Sequence, residues 1–354
     1  MFRILLFPIS LLYGLVTNIR NVLFDYKVLR FVQFDIPVIS VGNITVGGTG
    51  KTPHVEFLIR LLIEKQVLAT LSRGYKRKTK GFLIADIQST SVDIGDEPKQ
   101  IKRKFPDVTV AVDANRVNGI NQLIKKGIDT VILDDAFQHR YVKPGLSILL
   151  VDYNRNINTD SLLPYGRLRE SVKAKDRADI IIVSKTPDNI KPIERKLVSD
   201  NLNPRPFQKL YFTGLKYGKL VPLLSDTVSV PIEWGLSENI YSVVLVTGIA
   251  RPQQLVNYLG KFSNDIHHLN YPDHVSFTNN KIKKILSTFS NIKNDKKIII
   301  TTEKDAVKIG ELEITDIIFK QNIFYLPIEV FFISDEQEFK NQIIDYVEKN
   351  KRNG

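Results

Sequence analysis

The chain has 354 residues, 43% hydrophobic and 25% charged, which suits a globular protein long enough for two domains. It has no cysteine, so disulfides and thiolate metal centres are excluded. The formal net charge of +12 favours an anionic partner. However, the basic residues are dispersed and no RNP, KH or zinc-finger pattern is present, so acidic lipid or phosphate is expected rather than nucleic acid.

The N-terminus carries no charge from Ile4 to Thr17, a run of 14 residues, whereas a spanning helix needs about 20. Arg3, Ser10, Gly14, Thr17 and Asn21 recur at helical spacing as a thin polar stripe on an apolar helix, with Pro8 in its first turn or at a kink. No small-x-small cleavage site follows, which argues against a signal peptide. The pattern fits a helix in the membrane interface with Arg3, Arg20, Lys27 and Arg30 near lipid phosphates; a helix packed on the protein's own core is the alternative.

Val38-Ile-Ser-Val-Gly-Asn-Ile-Thr-Val-Gly-Gly-Thr-Gly-Lys-Thr-Pro53 begins apolar and β-branched, turns glycine-rich and leads into a segment of helical periodicity. Strand, glycine loop and helix in this order are the context of a phosphate-binding loop, with backbone amides and the helix N-terminus turned to the anion. Lys51 would reach the β- and γ-phosphates and the Thr52 hydroxyl would hold Mg²⁺. Thr45 stands where the usual pattern has its first glycine, so Thr45, Val46, Gly47, Gly48, Thr49, Gly50, Lys51 and Thr52 read as a divergent P-loop. A Gly-rich turn before a helix is the bland reading.

Downstream, a strand over 67–72 ends in Ser72-Arg73-Gly74-Tyr75, where Arg73 suits an anionic group or is a solvated loop residue. Asp96, in Asp93-Ile-Gly-Asp-Glu-Pro98, caps the next helix or serves catalysis. A strand over 108–112 precedes a helix opening at an acidic cap, Asp113, with Arg116 in its first turn. Thr130-Val-Ile-Leu-Asp-Asp135 resembles a Walker B segment, and its position about 80 residues after the loop strengthens that reading. Adjacent Asp134 and Asp135 point different ways, so one can serve a metal and the other the substrate or a second ion. Two more buried strands, 146–152 and 178–185, flank a Pro/Gly-shaped loop whose Arg167, Arg169 and Glu170 form a substrate clamp or a solvated charged surface. A linker is expected over 206–235. A second α/β domain follows over 236–354, with strands at 241–250, 297–305 and 323–332 and a closing helix at 336–349, and the nucleotide is expected between the domains. Three of the five histidines fall at 267, 268 and 274; their spacing does not suit zinc, and an Asp273–His274 dyad for proton transfer fits better.

These motifs in this order resemble the tetraacyldisaccharide 4'-kinase family across nearly the whole chain. The resemblance rests on Val41 to Pro53, Ser72 to Tyr75, Gly95 to Pro98, Asp134-Asp-Ala-Phe-Gln-His139, Leu163 to Glu170, Pro272-Asp-His274 and Thr302-Glu-Lys-Asp305. It implies a P-loop NTPase-like α/β fold with two α/β/α domains, a β-rich linker and a membrane-associated N-terminal helix (residues 1–30) ahead of the P-loop domain (31–205). It further implies transfer of the γ-phosphate of ATP, with Mg²⁺, to the 4'-hydroxyl of a lipid-linked glucosamine disaccharide 1-phosphate. The expected enzyme is a monomer at the cytoplasmic face of the bacterial inner membrane. Asp96 becomes the general base supported by His274, Asp134 and Asp135 the Mg²⁺ and active-site acids, and Arg73, Arg116, Arg169 and Glu170 the substrate contacts. Ala136 departs from the family's usual glycine. The rival readings are a GTPase switch, whose guanine motif is mis-spaced in Ser184-Lys-Thr-Pro-Asp188, and a partition-type membrane ATPase acting as a nucleotide-gated binding module.

Overall fold

Runs of Val, Ile and Leu with few polar interruptions suit strands buried on both faces, and parallel strands need helical crossovers between them. A computed structural model describes residues 6–224 and 240–350 and follows that rule. The chain divides into two compact units, residues 1–216 with 330–354, and residues 217–329.

The larger unit opens with α1 (Phe7–Asp25) and β1 (Val38–Gly42), then α2 (Lys51–Leu62), β2 (Leu68–Ser72) and β3 (Leu83–Ile84). It continues through α3 (Ser91–Ile94), α4 (Asp96–Lys104), β4 (Thr109–Val112), α5 (Arg116–Lys125) and β5 (Thr130–Asp134). Then come β6 (Leu146–Asp152), β7 (Ile180–Ser184), α6 (Pro192–Leu202) and β8 (Lys209–Tyr217). The smaller unit holds β9 (Val221–Pro222), β10 (Ser242–Thr247), α7 (Gln253–Leu259), β11 (Ile266–Asn270) and α8 (Asn279–Ser290). It also holds β12 (Lys297–Thr302), α9 (Glu303–Gly310), α10 (Ile317–Asn322) and β13 (Ile323–Leu326), after which β14 (Ile328–Phe332) and α11 (Glu336–Lys349) return to the larger unit.

The large sheet has the order β14-β8-β7-β6-β1-β5-β2-β4-β3 among the described residues. The chain winds away from β1 in both directions, so the carboxyl end of β1 is a switch point where ligands collect. The small sheet has the order β11-β10-β12-β13-β9, and winds both ways from β10.

Three expectations change. The stretch predicted as linker supplies β8, which pairs in parallel with β7; its residues 225–235 lie outside the described residues. The predicted strand over 323–332 breaks at Pro327, which has no amide to continue a ladder, and its halves join different sheets. The closing helix packs on the first unit, burying Phe339, Ile343 and Val347 in its core. In addition, α5 is capped by Asn115, whose side chain accepts the Asn118 amide, and not by Asp113.

The N-terminal helix inverts the usual amphipathic arrangement. Its polar stripe, Ser10, Gly14 and Thr17, is buried against the protein. Ser10 Oγ donates to the Leu162 carbonyl at 2.7 Å and the Tyr13 hydroxyl to the Arg169 carbonyl at 2.8 Å. Its apolar face is bare, with Ile9, Leu11, Leu12, Leu15, Val16 and Ile19 between 51% and 62% exposed. Pro8 sits in the first turn. Arg20, expected at lipid phosphates, instead pairs with Glu170 at 2.6 Å, while Lys27 and Arg30 are exposed; Arg3 lies outside the described residues.

Candidate functional site

Gly50, at φ 82°, opens α2 in a left-handed conformation that a side chain would strain, and Lys51 is the first helical residue. The carbonyls of Gly48, Thr49 and Gly50 are each taken by a protein donor: the Lys185 ammonium, Ser184 Oγ at 2.8 Å and His54 Nδ1 at 2.7 Å. Asn43 Nδ2 also donates to Thr49 Oγ1 at 2.8 Å. With these three carbonyls engaged, the amides of the glycine-rich turn are the groups suited to an anion. Burial lowers His54 to about 4, so the ring is neutral and its Nδ1 proton goes to the Gly50 carbonyl. Thr45 and Val46 pair with Leu168 and Arg167, which joins the loop to the segment predicted as a clamp.

The tip of β5 lies beside this loop because β1 and β5 are parallel neighbours, with Val41 opposite Asp134. Lys51 Nζ is 3.6 Å from Asp135 Oδ1, and Arg169 Nη1 is 2.9 Å from the same oxygen. Asp135, the residue after the end of β5, takes φ 48°. Burial pushes Asp135 upward, but Lys51 and Arg169 outweigh it and hold the carboxyl below its ordinary value. Asp134 is buried, its Oδ1 has no hydrogen-bond partner, and burial together with Asp135 pushes it up to about 7. Ala136 is buried in the adjacent core, so its methyl group is accommodated.

Asp96 is the first residue of α4, and Gly95 occupies the cap position without a side-chain capping bond. The capping reading of Asp96 is therefore replaced. A side chain at Gly95 would crowd the Tyr75 carbonyl at 3.1 Å, and one at Gly74 the Ile94 carbonyl at 2.8 Å, so the two glycines let the Arg73 loop and the Asp96 turn meet backbone to backbone. Arg73 is exposed. Arg116 is buried and lowered to about 10 by burial, with Asp134 and Asp135 opposing the shift. A cavity of ≈ 520 Å³ lined by Ala114, Asn115, Val117, His139 and Tyr141 opens at the start of α5.

Two predicted substrate contacts are otherwise engaged. Glu170 is fully buried, with Arg20 and Arg177 each at 2.6 Å from one carboxylate oxygen, so it ties α1 to the body instead of facing a substrate. Arg169 is committed to Asp135 through its side chain. His274 lies in the smaller unit, 4.0 Å from Asp273 Oδ2 and only 3.2 Å from Lys304 Nζ, so the closer partner is the lysine and not the predicted aspartate. His267 and His268 bind Asp265 and Thr247, at 3.0 Å and 2.8 Å. Sequence reasoning missed the loop's supports, His54, Asp152, Ser184 and Lys185. Their one signal was position: Asp152 ends β6, the strand beside β1, and Ser184 ends β7, the next strand out.

A family described as tetraacyldisaccharide-1-P 4'-kinase matches residues 2–348. The tetraacyldisaccharide 4'-kinase of Phocaeicola vulgatus is 49% identical over 353 residues, covering 98% of this chain and 96% of the relative. That of Bacteroides thetaiotaomicron is 47% identical, covering 98% and 94%. A crystal structure of LpxK from Aquifex aeolicus in complex with ATP is 30% identical with a TM-score of 0.75, covering 98% of this chain and 100% of that one. Motif order, sheet topology and full-length similarity agree, and the chain belongs to the tetraacyldisaccharide 4'-kinase family.

Proposed function

We propose that the protein transfers the γ-phosphate of ATP to the 4'-hydroxyl of a tetraacylated glucosamine disaccharide 1-phosphate, forming lipid IVA in lipid A biosynthesis. The observation that carries this reading is the Lys51 ammonium, 3.6 Å from Asp135, at the mouth of a loop whose Gly48, Thr49 and Gly50 carbonyls are turned to protein donors. The full-length family match favours it over the membrane ATPase alternative.

The loop amides and Lys51 bind and orient the β- and γ-phosphates. The residues present fit Mg²⁺: the candidate donors are all oxygens, and Asp134 Oδ1 is buried with no partner. No group of three His, Cys, Asp or Glu gathers among the described residues, so Thr52, Asp134 and Asp135 would share the ion with phosphate and water. Asp134 would be the direct ligand, because Asp135 is already held by Lys51 and Arg169. When bound, the ion neutralises phosphate charge. Asp96, the first residue of α4, takes the proton of the attacking hydroxyl. Arg73, Arg116 and the cavity beside His139 receive the anionic acceptor. The assignment of His274 to proton transfer rests on the Pro272-Asp-His274 motif.

The bare apolar face of α1 lies in the cytoplasmic leaflet of the inner membrane and keeps a monomeric enzyme where its acyl-chain substrate resides. The helix is 19 residues long and, by length and composition, apolar enough to cross a membrane. Its buried polar stripe makes a helix docked on its own protein and lying in the interface the better reading. The test is transfer of labelled γ-phosphate to the tetraacyl disaccharide 1-phosphate in mixed micelles. Label in the lipid that is lost in Lys51→Ala is expected; ATP hydrolysis indifferent to the lipid would favour the ATPase.

A further inference from the structure

We propose that Lys304 is a positioning residue for His274, holding the imidazole in one orientation and one tautomer. This rests on the reading of His274 as a proton-transfer group. The motif Thr302-Glu-Lys-Asp305 has no part in the mechanism above, yet it builds the platform beneath the His274 loop.

The platform is locked at its base. Thr302 Oγ1 accepts the Asp305 amide at 3.1 Å and donates to Asp305 Oδ2 at 2.6 Å. The Gly248 amide donates to the same oxygen at 2.8 Å, and Asp305 is fully buried. The first turn of α9 is thereby fixed to the tip of β10. Lys304 and Lys308 are one turn apart on α9 and share a face. Lys308 Nζ donates to the Val275 carbonyl at 3.1 Å, while Lys304 Nζ sits 3.2 Å from His274 Nε2 and 3.2 Å from Asp273 Oδ1. Val275 closes over Gly248, where an added Cβ would lie 2.4 Å from Val275 Cγ1. The loop is thus gripped on both sides of His274, which itself takes an uncommon φ of 60°.

An ammonium group has donors and no acceptor, so Nε2 must accept from Lys304 and the ring proton resides on Nδ1. Asp273, at 4.0 Å from Nε2, is too distant for a hydrogen bond to that atom. It instead accepts the His274 amide at 3.0 Å and braces the lysine. Lys304 therefore fixes the proton on Nδ1, which sets the ring's polarity for proton transfer.

The test combines nitrogen NMR of the His274 ring with kinetics of the full-length enzyme. The wild type should show the Nδ1–H tautomer and Lys304→Met should lose it. Turnover in Lys304→Met should fall about ten- to a hundredfold with KM for ATP little changed, and Lys304→Arg should recover part of it. In a His274→Ala background, Lys304→Met should cost nothing further. An unchanged tautomer in Lys304→Met, or losses that multiply in the double variant, would overturn the proposal. Full turnover in His274→Ala would instead remove the catalytic reading of His274, and the ring signal would still decide whether Lys304 fixes its tautomer.

Discussion

Two buried carboxylates, Asp134 at the tip of β5 and Glu170 beneath α1, look alike in sequence and differ in kind. Glu170 has an arginine at 2.6 Å on each oxygen and is fully enclosed. Asp134 is nearly as enclosed, yet one oxygen has no partner and burial lifts it to about 7. Glu170 is fully paired and ties α1 to the body, whereas the unpartnered oxygen of Asp134, at the tip of a strand beside the phosphate loop, is the one the proposed metal would satisfy. Asp135, next to Asp134 in sequence, pairs with Lys51 and with Arg169, the residue before Glu170.

Breaking the ligand side should have the largest effect. Asp134→Asn should lower turnover by about a thousandfold while the protein stays folded. The same variant should stabilise the nucleotide-free protein in alkaline solution. The folded-state value, about 7, exceeds the ordinary 3.8, so the carboxyl's contribution is intact in acid and is lost as pH rises through that interval. Removing the charge should restore roughly 4 kcal/mol near pH 8 and almost nothing below about pH 4, read from urea unfolding at several pH values.

Glu170→Gln should reverse that pattern. It strands two arginines and should destabilise the protein by about 3–5 kcal/mol in urea unfolding, with no gain at alkaline pH. If Glu170→Gln were neutral, the contrast between the two acids would be lost. Smaller still, Leu12→Ser with Leu15→Ser on the bare face of α1 should weaken binding to anionic vesicles about tenfold per residue and leave unfolding nearly unchanged. Arg20→Met should cost only about 1 kcal/mol, because Arg20 is partly exposed and Arg177 still pairs with Glu170.

The local part of this architecture was legible in sequence. The apolar strands ending in Gly42 and Asp134, the glycine loop between Val46 and Lys51, and the helix after it follow from periodicity and turn chemistry alone. Their adjacency follows from the rule that ligands gather at the switch point of a parallel sheet. Long-range partners were not legible. Glu170 meets Arg20 across 150 positions, and no local pattern states that a Pro/Gly-shaped loop buries its one acid. The polar stripe of α1 was visible, but its direction was not, since a stripe at helical spacing looks the same whether it faces water or protein. The return of α11 to the first unit was hidden for a similar reason. Pro327 signals a break in the strand, and only the packing of Phe339, Ile343 and Val347 tells which sheet the chain rejoins.

The proposed division of labour reserves Asp134 for the metal that accompanies ATP and leaves Glu170 to the fold. Calorimetric titration of ATP into the wild type, Asp134→Asn and Glu170→Gln, each with and without Mg²⁺, tests it most directly. Mg²⁺ should tighten ATP binding in the wild type and in whatever Glu170→Gln protein remains folded, and should have no effect in Asp134→Asn. A full Mg²⁺ enhancement in Asp134→Asn would contradict it.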